Sequence, residues 1–379
     1  MSRSANGPLR RVDREKVVLG LAAPVLALVL ALAVICLVMA ATGDNAFRAF
    51  GIMADYGSKS DSQVHIINRA IPYYLSAAAV AIGFRMNLFN IGVEGQYLVA
   101  AFFAAAVGGA LAWPGVIQIP LILLTAVFCG AVWSGIAGVL KATRGVSEVI
   151  TTIMLNAVGT LLIAYFLQQG RLAEREENIL QTPDIPDSSF FFEFPTTPVA
   201  LHGTLVLAVA VGLAYWLVLG RTRFGFDLRA VGRSEPAAEA SGVSVKRTVI
   251  TAMVLSGAVA GLVGMPALLN DAGTYSNAFP AGFGFTGIAI ALLGRNHPVG
   301  MALAALLWAF LEHTSIRLDR EGFDQEIVGV MQGIIVLSVV IAYEVVRRWG
   351  LRRQQRLVGE RLAGQARPSG SDDPAEVSA

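Results

Sequence analysis

The stretch VVLGLAAPVLALVLALAVICLVMAA, residues 17–41, runs for twenty-five residues without a charged side chain. A helix needs about 20 predominantly apolar residues to cross the roughly 30 Å hydrocarbon core of a bilayer. The apolar core of a secretory signal peptide is shorter, about 7–15 residues. We therefore expect residues 17–41 to form a first transmembrane helix rather than a cleaved signal, with residues 1–16 as a short cytoplasmic segment.

The composition extends this expectation to the whole chain. Of 379 residues, 55% are hydrophobic and 15% are charged, whereas soluble proteins have about 45–50% apolar and about 25% charged residues. Nine further apolar stretches follow the first, at 67–84, 91–112, 117–140, 148–168, 201–219, 248–270, 283–294, 299–312 and 326–346. The predicted fold class is all-α, a polytopic transmembrane helical bundle.

The distribution of charge predicts the orientation, because short cytoplasmic loops are enriched in Lys and Arg. Basic clusters occur near the N-terminus, at Lys141 and Arg144, in the loop 220–247 and after the last apolar stretch. Segment 170–200 is acidic instead. The basic clusters should face the cytoplasm, and the acidic segment should form an external loop.

Parity then predicts ten crossings. Both termini can lie inside only if the number of crossings is even, and the basic loop at 141–147 requires four crossings before it. Two short crossings in the region 283–312 keep the basic C-terminus inside, whereas one helix there would not. The transmembrane domain is thus predicted at 17–346, and the polar residues 347–379 are predicted to form a disordered cytoplasmic tail.

Two glycine-bounded interruptions, GFRMNLFNIG (83–92) and LGRNHPVG (293–300), separate short apolar segments. Broken helices are tolerated at membrane depth where they are buried in protein or line a cavity, and they often mark a translocation pathway. Each interruption has an Arg and an Asn between glycines. An internal repeat would produce this similarity, but two interfacial turns would look the same and are the favoured explanation.

Several catalytic motifs are absent from the sequence. It contains no G-x-x-x-x-G-K-[ST] phosphate-binding loop, no H-E-x-x-H and no G-x-S-x-G. An ATPase is therefore excluded, and a membrane-embedded hydrolase is disfavoured. A secondary carrier that uses Glu94 as its proton site is an alternative, because ionisable groups within membranes are usually functional. Glu94 could instead stabilise the N-terminus of its own helix.

The basic loop 220–247 contains a predicted short helix, 234–241. Ser234 is a good N-cap, Glu235 and Pro236 suit a first helical turn, and Gly242 is a natural stop. An isolated helix of this length is marginal in water, so we expect it to dock on a partner. A solvated connector is the alternative.

Four segments in this order resemble the permease subunits of bacterial nucleoside and simple-sugar ABC importers, within the ribose and branched-chain amino acid permease superfamily. They are NIGVEGQ (90–96), SEVITTIMLN (147–156), LRAVG (228–232) followed by Ala237, Ala238 and Gly242, and GIAIALLG (287–294) followed by Pro298.

This resemblance implies a type II ABC importer permease that binds no cofactor itself. The implied partners are a cytoplasmic ATPase that uses ATP and Mg, a second related permease subunit and an extracytoplasmic substrate-binding protein. The resemblance also assigns ATPase coupling to the loop, with the candidate residues Arg229, Gly232, Ser234, Glu235, Ala238 and Gly242. Nucleosides are the expected substrate, ahead of ribose or another monosaccharide and of amino acids.

Candidate residues for the substrate pathway are polar and aromatic side chains near the interruptions. The polar candidates are Asn87, Asn90, Glu94, Gln96 and Asn156. The aromatic candidates, which could stack on a planar base, are Phe84, Phe89, Phe283 and Phe285. Hydrogen bonding between helices is an alternative role for the amides, and ordinary packing is an alternative role for the phenylalanines.

Overall fold

The computed structural model describes residues 9–176, 179–324 and 326–365, most of which are helical. The helices are α1 (Leu9–Thr42), α2 (Ala46–Gly57), α3 (Ser60–Phe84), α4 (Val93–Ala110), α5 (Gly115–Arg144), α6 (Glu148–Phe166), α7 (Thr204–Arg221), α8 (Arg223–Arg233), α9 (Glu235–Ala240), α10 (Val245–Gly261), α11 (Phe283–Leu293), α12 (Pro298–Arg320) and α13 (Glu326–Gln365). One structural unit comprises residues 47–329, and a second comprises α1 and α13 from residue 330 onward.

Helix α3 lies at the centre of the larger unit. It packs against α7, α10, α11 and α12, and its segment LSAAAVAIG (75–83) is buried. Because most of these residues are Ala, Ser or Gly, neighbouring helices can approach the α3 backbone closely. On another side of the unit, α4 packs against α5, α6 and α10.

The backbones of helices α5 and α10 approach each other closely. A Cβ atom at Gly257 would overlap the carbonyl oxygen of Gly130, and a Cβ atom at Gly130 would overlap that of Gly257. The Ser134 hydroxyl donates to the carbonyl oxygen of Met253 at 2.7 Å. Small residues and a hydroxyl bond across the contact are typical of helix pairs in membranes.

The predicted polytopic helical bundle is confirmed, and each of the ten apolar stretches contains a helix. Within the described residues, the helices that are individually long and apolar enough to cross a bilayer number seven: α3, α4, α5, α6, α7, α12 and Glu326–Val346 of α13. Residues Leu26–Thr42 with Ala46–Gly57 form an eighth candidate. Helices α10 and α11 fall short of this criterion, so ten crossings stay a prediction.

Helix α12 is longer than predicted, because it continues past residue 312 to Arg320. Glu312 does not end it, since Arg69 Nη1 donates to Glu312 Oε1 at 2.9 Å and the Tyr73 hydroxyl donates to Oε2. Helix α11 has 11 residues, or about 16 Å of rise, which is about half of the hydrocarbon thickness. Of the two crossings predicted in the region 283–312, α11 is therefore the short one.

Other elements depart from the predicted boundaries. Helix α10 ends at Gly261, inside the predicted stretch 248–270, and a π-helical turn follows at Ala267–Ala272. Helix α13 continues to Gln365, although we expected disorder from residue 347. Its last part is rich in Leu, Arg and Gln, which favour helices. Residues 366–379 of the predicted tail, and residues 1–8 of the N-terminal segment, lie outside the described residues.

The acidic segment 170–200 contributes to two small antiparallel hairpins. Strand β1 (Glu174–Glu176) pairs with β2 (Ile179–Gln181), and β3 (Glu193–Phe194) pairs with β4 (Leu201–His202). Asn68 of α3 holds the second hairpin. Its amide nitrogen donates to the carbonyl oxygen of Ala200 at 3.0 Å, and its amide oxygen accepts from the backbone N–H of His202 at 3.0 Å.

Candidate translocation and coupling sites

The first interruption forms a tight turn that places Asn90 in the core. Asn90 and Gln96 form a reciprocal pair of side-chain amide hydrogen bonds, at 3.0 Å and 2.8 Å. The Asn90 amide nitrogen also donates to the Ser256 hydroxyl of α10 at 2.9 Å, and that hydroxyl donates to the carbonyl oxygen of Ala79 at 2.7 Å. This network connects the turn, α4, α10 and α3.

Asn156 of α6 holds the start of α4. Its amide oxygen accepts from the backbone N–H of Gly95 at 2.9 Å, and its amide nitrogen donates to the carbonyl oxygen of Ile91 at 3.1 Å. The first backbone N–H groups of a helix have no partner within the helix. Asn156 therefore acts as a cap that α6 supplies to α4.

Glu94 caps a different helix from the one predicted. Its Oε1 accepts from the backbone N–H of Gly282 at 2.6 Å, and its Oε2 accepts from that of Gly284 at 2.8 Å. The Tyr97 hydroxyl lies 3.1 Å from Oε1 and donates to it. Glu94 is 8% exposed, and its carboxylate meets the positive N-terminal end of α11. Glu94 thus links α4 to α11.

Three of the four aromatic candidates make ring contacts. Phe84 and Phe89 make an edge-to-face contact with ring centroids 5.1 Å apart. Phe283 contacts the rings of Tyr73 and Tyr97, at 5.3 Å and 6.0 Å. Phe89 and Phe285 are about half exposed, at 49% and 53%.

The buried polar candidates are engaged in helix-to-helix contacts, which is the alternative role that the sequence left open. Contact with substrate stays a prediction for all of them. Ser256 and Tyr97 also take part in these contacts, although neither was among the predicted site residues. Tyr97 could have been found, because it lies three residues after Glu94 on the same helical face. Nothing in the sequence around Ser256 indicates its role.

Asn87 lies apart from the other amides, against the basic loop. It has φ 57°, a left-handed conformation that Asn tolerates better than most residues. Its side-chain amide nitrogen donates to the carbonyl oxygen of Gly232 at 2.6 Å. A Cβ atom at Gly232 would lie 2.8 Å from the carbonyl oxygen of Arg85. The interruption and the predicted coupling loop are thus in direct contact.

The short helix predicted in this loop is present. Helix α9 covers Glu235–Ala240, the Ser234 hydroxyl accepts from the backbone N–H of Ala237 at 3.4 Å, and Gly242 has φ 83°. Ala238 is buried. The side-chain cap and the left-handed glycine are the start and stop signals that the sequence indicated.

Helix α8, which precedes α9, was not predicted. The Thr222 hydroxyl caps it by accepting from the backbone N–H of Gly225 at 3.3 Å. Leu228 and Val231 are buried, and with Phe224 they recur at intervals of four and three residues. That helical periodicity was the available signal.

Helices α8 and α9 enclose a basic cleft of about 710 Å³. Arg223, Arg229 and Arg233 line it together with Asp227. Arg229 also donates to the carbonyl oxygen of Leu219, at the end of α7. An acidic surface on a partner would complement this cleft.

Residues 62–340 match the family described as "Branched-chain amino acid transport system / permease component". The chain belongs to this permease family. The matched range contains the turn at 83–92, the Glu94 cap and the loop 220–247. This permease is therefore a multi-pass membrane protein with a transport role, and as an ABC importer permease it works with a separate ATPase and a paired permease.

Three curated proteins are similar to this permease over most of its length. The guanosine ABC transporter permease of Bacillus subtilis is 36% identical, with 85% of this chain and 93% of that protein covered. A glucose ABC transporter permease of Haloferax volcanii is 32% identical, covering 84% and 86%. A nucleoside ABC transporter permease of Lactococcus lactis is 33% identical, covering 72% and 77%. No solved structure matches this permease.

Among the described residues, no three His, Cys, Asp or Glu side chains are grouped closely enough to hold a metal ion.

Proposed function

We propose that this permease transports nucleosides across the bacterial cytoplasmic membrane as one half of a type II ABC importer. The main support is its 36% identity to the guanosine permease over nearly the whole of that protein. Ribose or another monosaccharide is the second candidate, favoured by the 32% identity to the glucose permease.

The proposed assembly has three further components. A cytoplasmic ATPase binds the basic loop 220–247, a second related permease completes the pathway, and an extracytoplasmic binding protein delivers the substrate to the side of segment 170–200. Both termini lie in the cytoplasm in this orientation. The Lys and Arg distribution supports it.

The bonding of Glu94 argues against an ion-coupled carrier. A proton site must exchange its proton during each transport cycle. The Glu94 carboxylate instead accepts two backbone N–H bonds from the start of α11, which fixes it as an acceptor in the structure. Its geometry supports a constant structural role.

Uptake by cells that express the complete transporter tests the substrate. We expect labelled guanosine uptake to stop on ATP depletion, to persist when a protonophore dissipates the proton gradient, and to resist a hundredfold excess of ribose or glucose. Uptake of labelled ribose or glucose, with guanosine uptake absent, would favour the monosaccharide alternative. Loss of uptake on addition of protonophore, at constant cellular ATP, would contradict the ABC mechanism.

We further propose that the contact of Gly232 with the 85–87 turn transmits motion from the ATPase to α3 and α4. Replacing Gly232 with Val would force this contact apart, because any Cβ atom overlaps the turn backbone. We expect assembly and ATP hydrolysis to remain while uptake falls at least tenfold. Gly220→Ala is the matched control, since a Cβ atom there meets nothing within 4 Å. Normal uptake by the Gly232→Val transporter would refute this route.

A further inference from the structure

A groove of about 630 Å³ lies among α3, α7 and α12. Small residues form part of its lining, notably Ala70 of α3, Ala208 of α7 and Ala305 of α12. Val209 and Leu213 line it as well, and both are more than half exposed. The groove therefore opens onto the outer surface of the helical bundle.

The lining of the groove is almost entirely apolar. Among the described residues that form it, polar side-chain atoms belong to Tyr74, Trp216 and His297 alone. A nucleoside or a sugar has many hydroxyl and amide groups, and burying each without a partner costs several kcal/mol. The groove thus suits a hydrocarbon ligand and not the transported substrate.

The groove is long enough for the acyl chain of a lipid, which spans about half of the hydrocarbon core. Along α7 it extends from Leu205 to Trp216, which is about 16 Å at 1.5 Å per residue. Half of the hydrocarbon core is about 15 Å thick. Leu205 lies in the first turn of α7, at the end next to β4, so an acyl chain that enters at Trp216 fills the part of the groove nearer to Arg221.

One end of the groove has the chemistry of a lipid headgroup site. The Arg221 guanidinium lies 5.1 Å from the centre of the Trp216 ring, and Arg221 is exposed. Tryptophan is enriched at the level of the headgroups, and the arginine guanidinium matches the geometry of a phosphate. The basic loop that begins here adds attraction for anionic lipids.

We propose that this groove binds one acyl chain of an anionic phospholipid, whose phosphate is held by Arg221 beside Trp216. In the orientation proposed above, the lipid belongs to the cytoplasmic leaflet. The site depends on the membrane location of α7 and not on the identity of the transported substrate, so the two proposals can fail separately.

Photolabelling of the assembled transporter tests this site. The transporter is placed in nanodiscs of phosphatidylethanolamine and phosphatidylglycerol, 3:1, with a trace of phosphatidylglycerol that has a diazirine on its acyl chain. Mass spectrometry maps the labelled peptides. We expect labelling to concentrate on α3, α7 and α12. Ala302→Trp, which fills the groove, should reduce it at least fivefold.

Ala214→Trp is the matched control, because Ala214 is exposed on α7 outside the groove, and its labelling should equal that of the unmodified transporter. Arg221→Ala should reduce labelling by phosphatidylglycerol but not by a phosphatidylcholine probe, and this comparison does not require a substitution in the groove. Uniform labelling of all exposed helices would overturn the proposal. So would a crosslink to another protein subunit from benzoylphenylalanine at position 213.

Discussion

Replacing Glu94 with Gln tests whether the carboxylate has a structural role or takes part in transport. Glutamine has nearly the same shape, but its amide has one acceptor oxygen and one donor NH₂ group. Two backbone N–H groups, of Gly282 and Gly284, now donate to the two carboxylate oxygens. In the variant, one of these N–H groups must face another donor.

The expected loss of stability follows from two contributions. A buried donor left without a partner costs about 1–3 kcal/mol. Removing a negative charge from a helix N-terminus costs about 0.3–1 kcal/mol more, so the total is about 1–4 kcal/mol. Since 1 kcal/mol lowers Tm by about 2–4 °C for a domain of about 150–250 residues, the drop should reach several degrees.

Thermal unfolding of the purified transporter in nanodiscs measures this loss. Glu174→Gln is the control, because Glu174 is exposed on β1 and its replacement should leave Tm unchanged. An unchanged Tm for Glu94→Gln would show that the carboxylate does not stabilise α11. If uptake were lost at unchanged Tm, Glu94 would have to act on the substrate or on a proton.

Three further substitutions probe the packing and the loop. Gly257→Ala should lower stability by about 1–3 kcal/mol through overpacking, as thermal unfolding would reveal, whereas Gly220→Ala in open space should not. Lys141→Met should destabilise the permease, because it leaves the buried Glu148, 2.9 Å away, without its ion-pair partner. Adding Glu148→Met should restore most of the lost stability in a double-mutant cycle. An equal loss of stability in the single and the double variant would contradict this. Thr222→Ala should cost about 0.5–2 kcal/mol by removing the α8 cap, and proteolysis of the loop should quicken; an unchanged cleavage rate would count against the cap.

The hydrophobic stretches predicted the helices well, because burial in lipid leaves a strong and continuous signal. Their ends were less certain wherever a polar residue has a partner from a distant segment. Glu312 shows this directly: its pairing with Arg69 and Tyr73 lets α12 continue, and a single sequence does not contain that pairing.

The candidate site was predictable in its motifs but not in its connections. The segment NIGVEGQ stood out, yet the partners of Glu94 lie near position 283, nearly two hundred residues later in the chain. Asn87 was grouped with the pathway amides because it is close to them in sequence. Its left-handed backbone turns it toward Gly232, and its place in the substrate pathway stays a prediction.

The near contact of backbones at Gly130 and Gly257 also limits how this permease can move. Two helices that touch main chain to main chain, with a hydroxyl bond beside the contact, have no loose side chains between them to absorb sliding. Helices α5 and α10 should therefore travel as one rigid body during a transport cycle. Opening toward either side of the membrane then has to come from rearrangement around this pair, and a disulfide that locks the two helices together should leave transport intact.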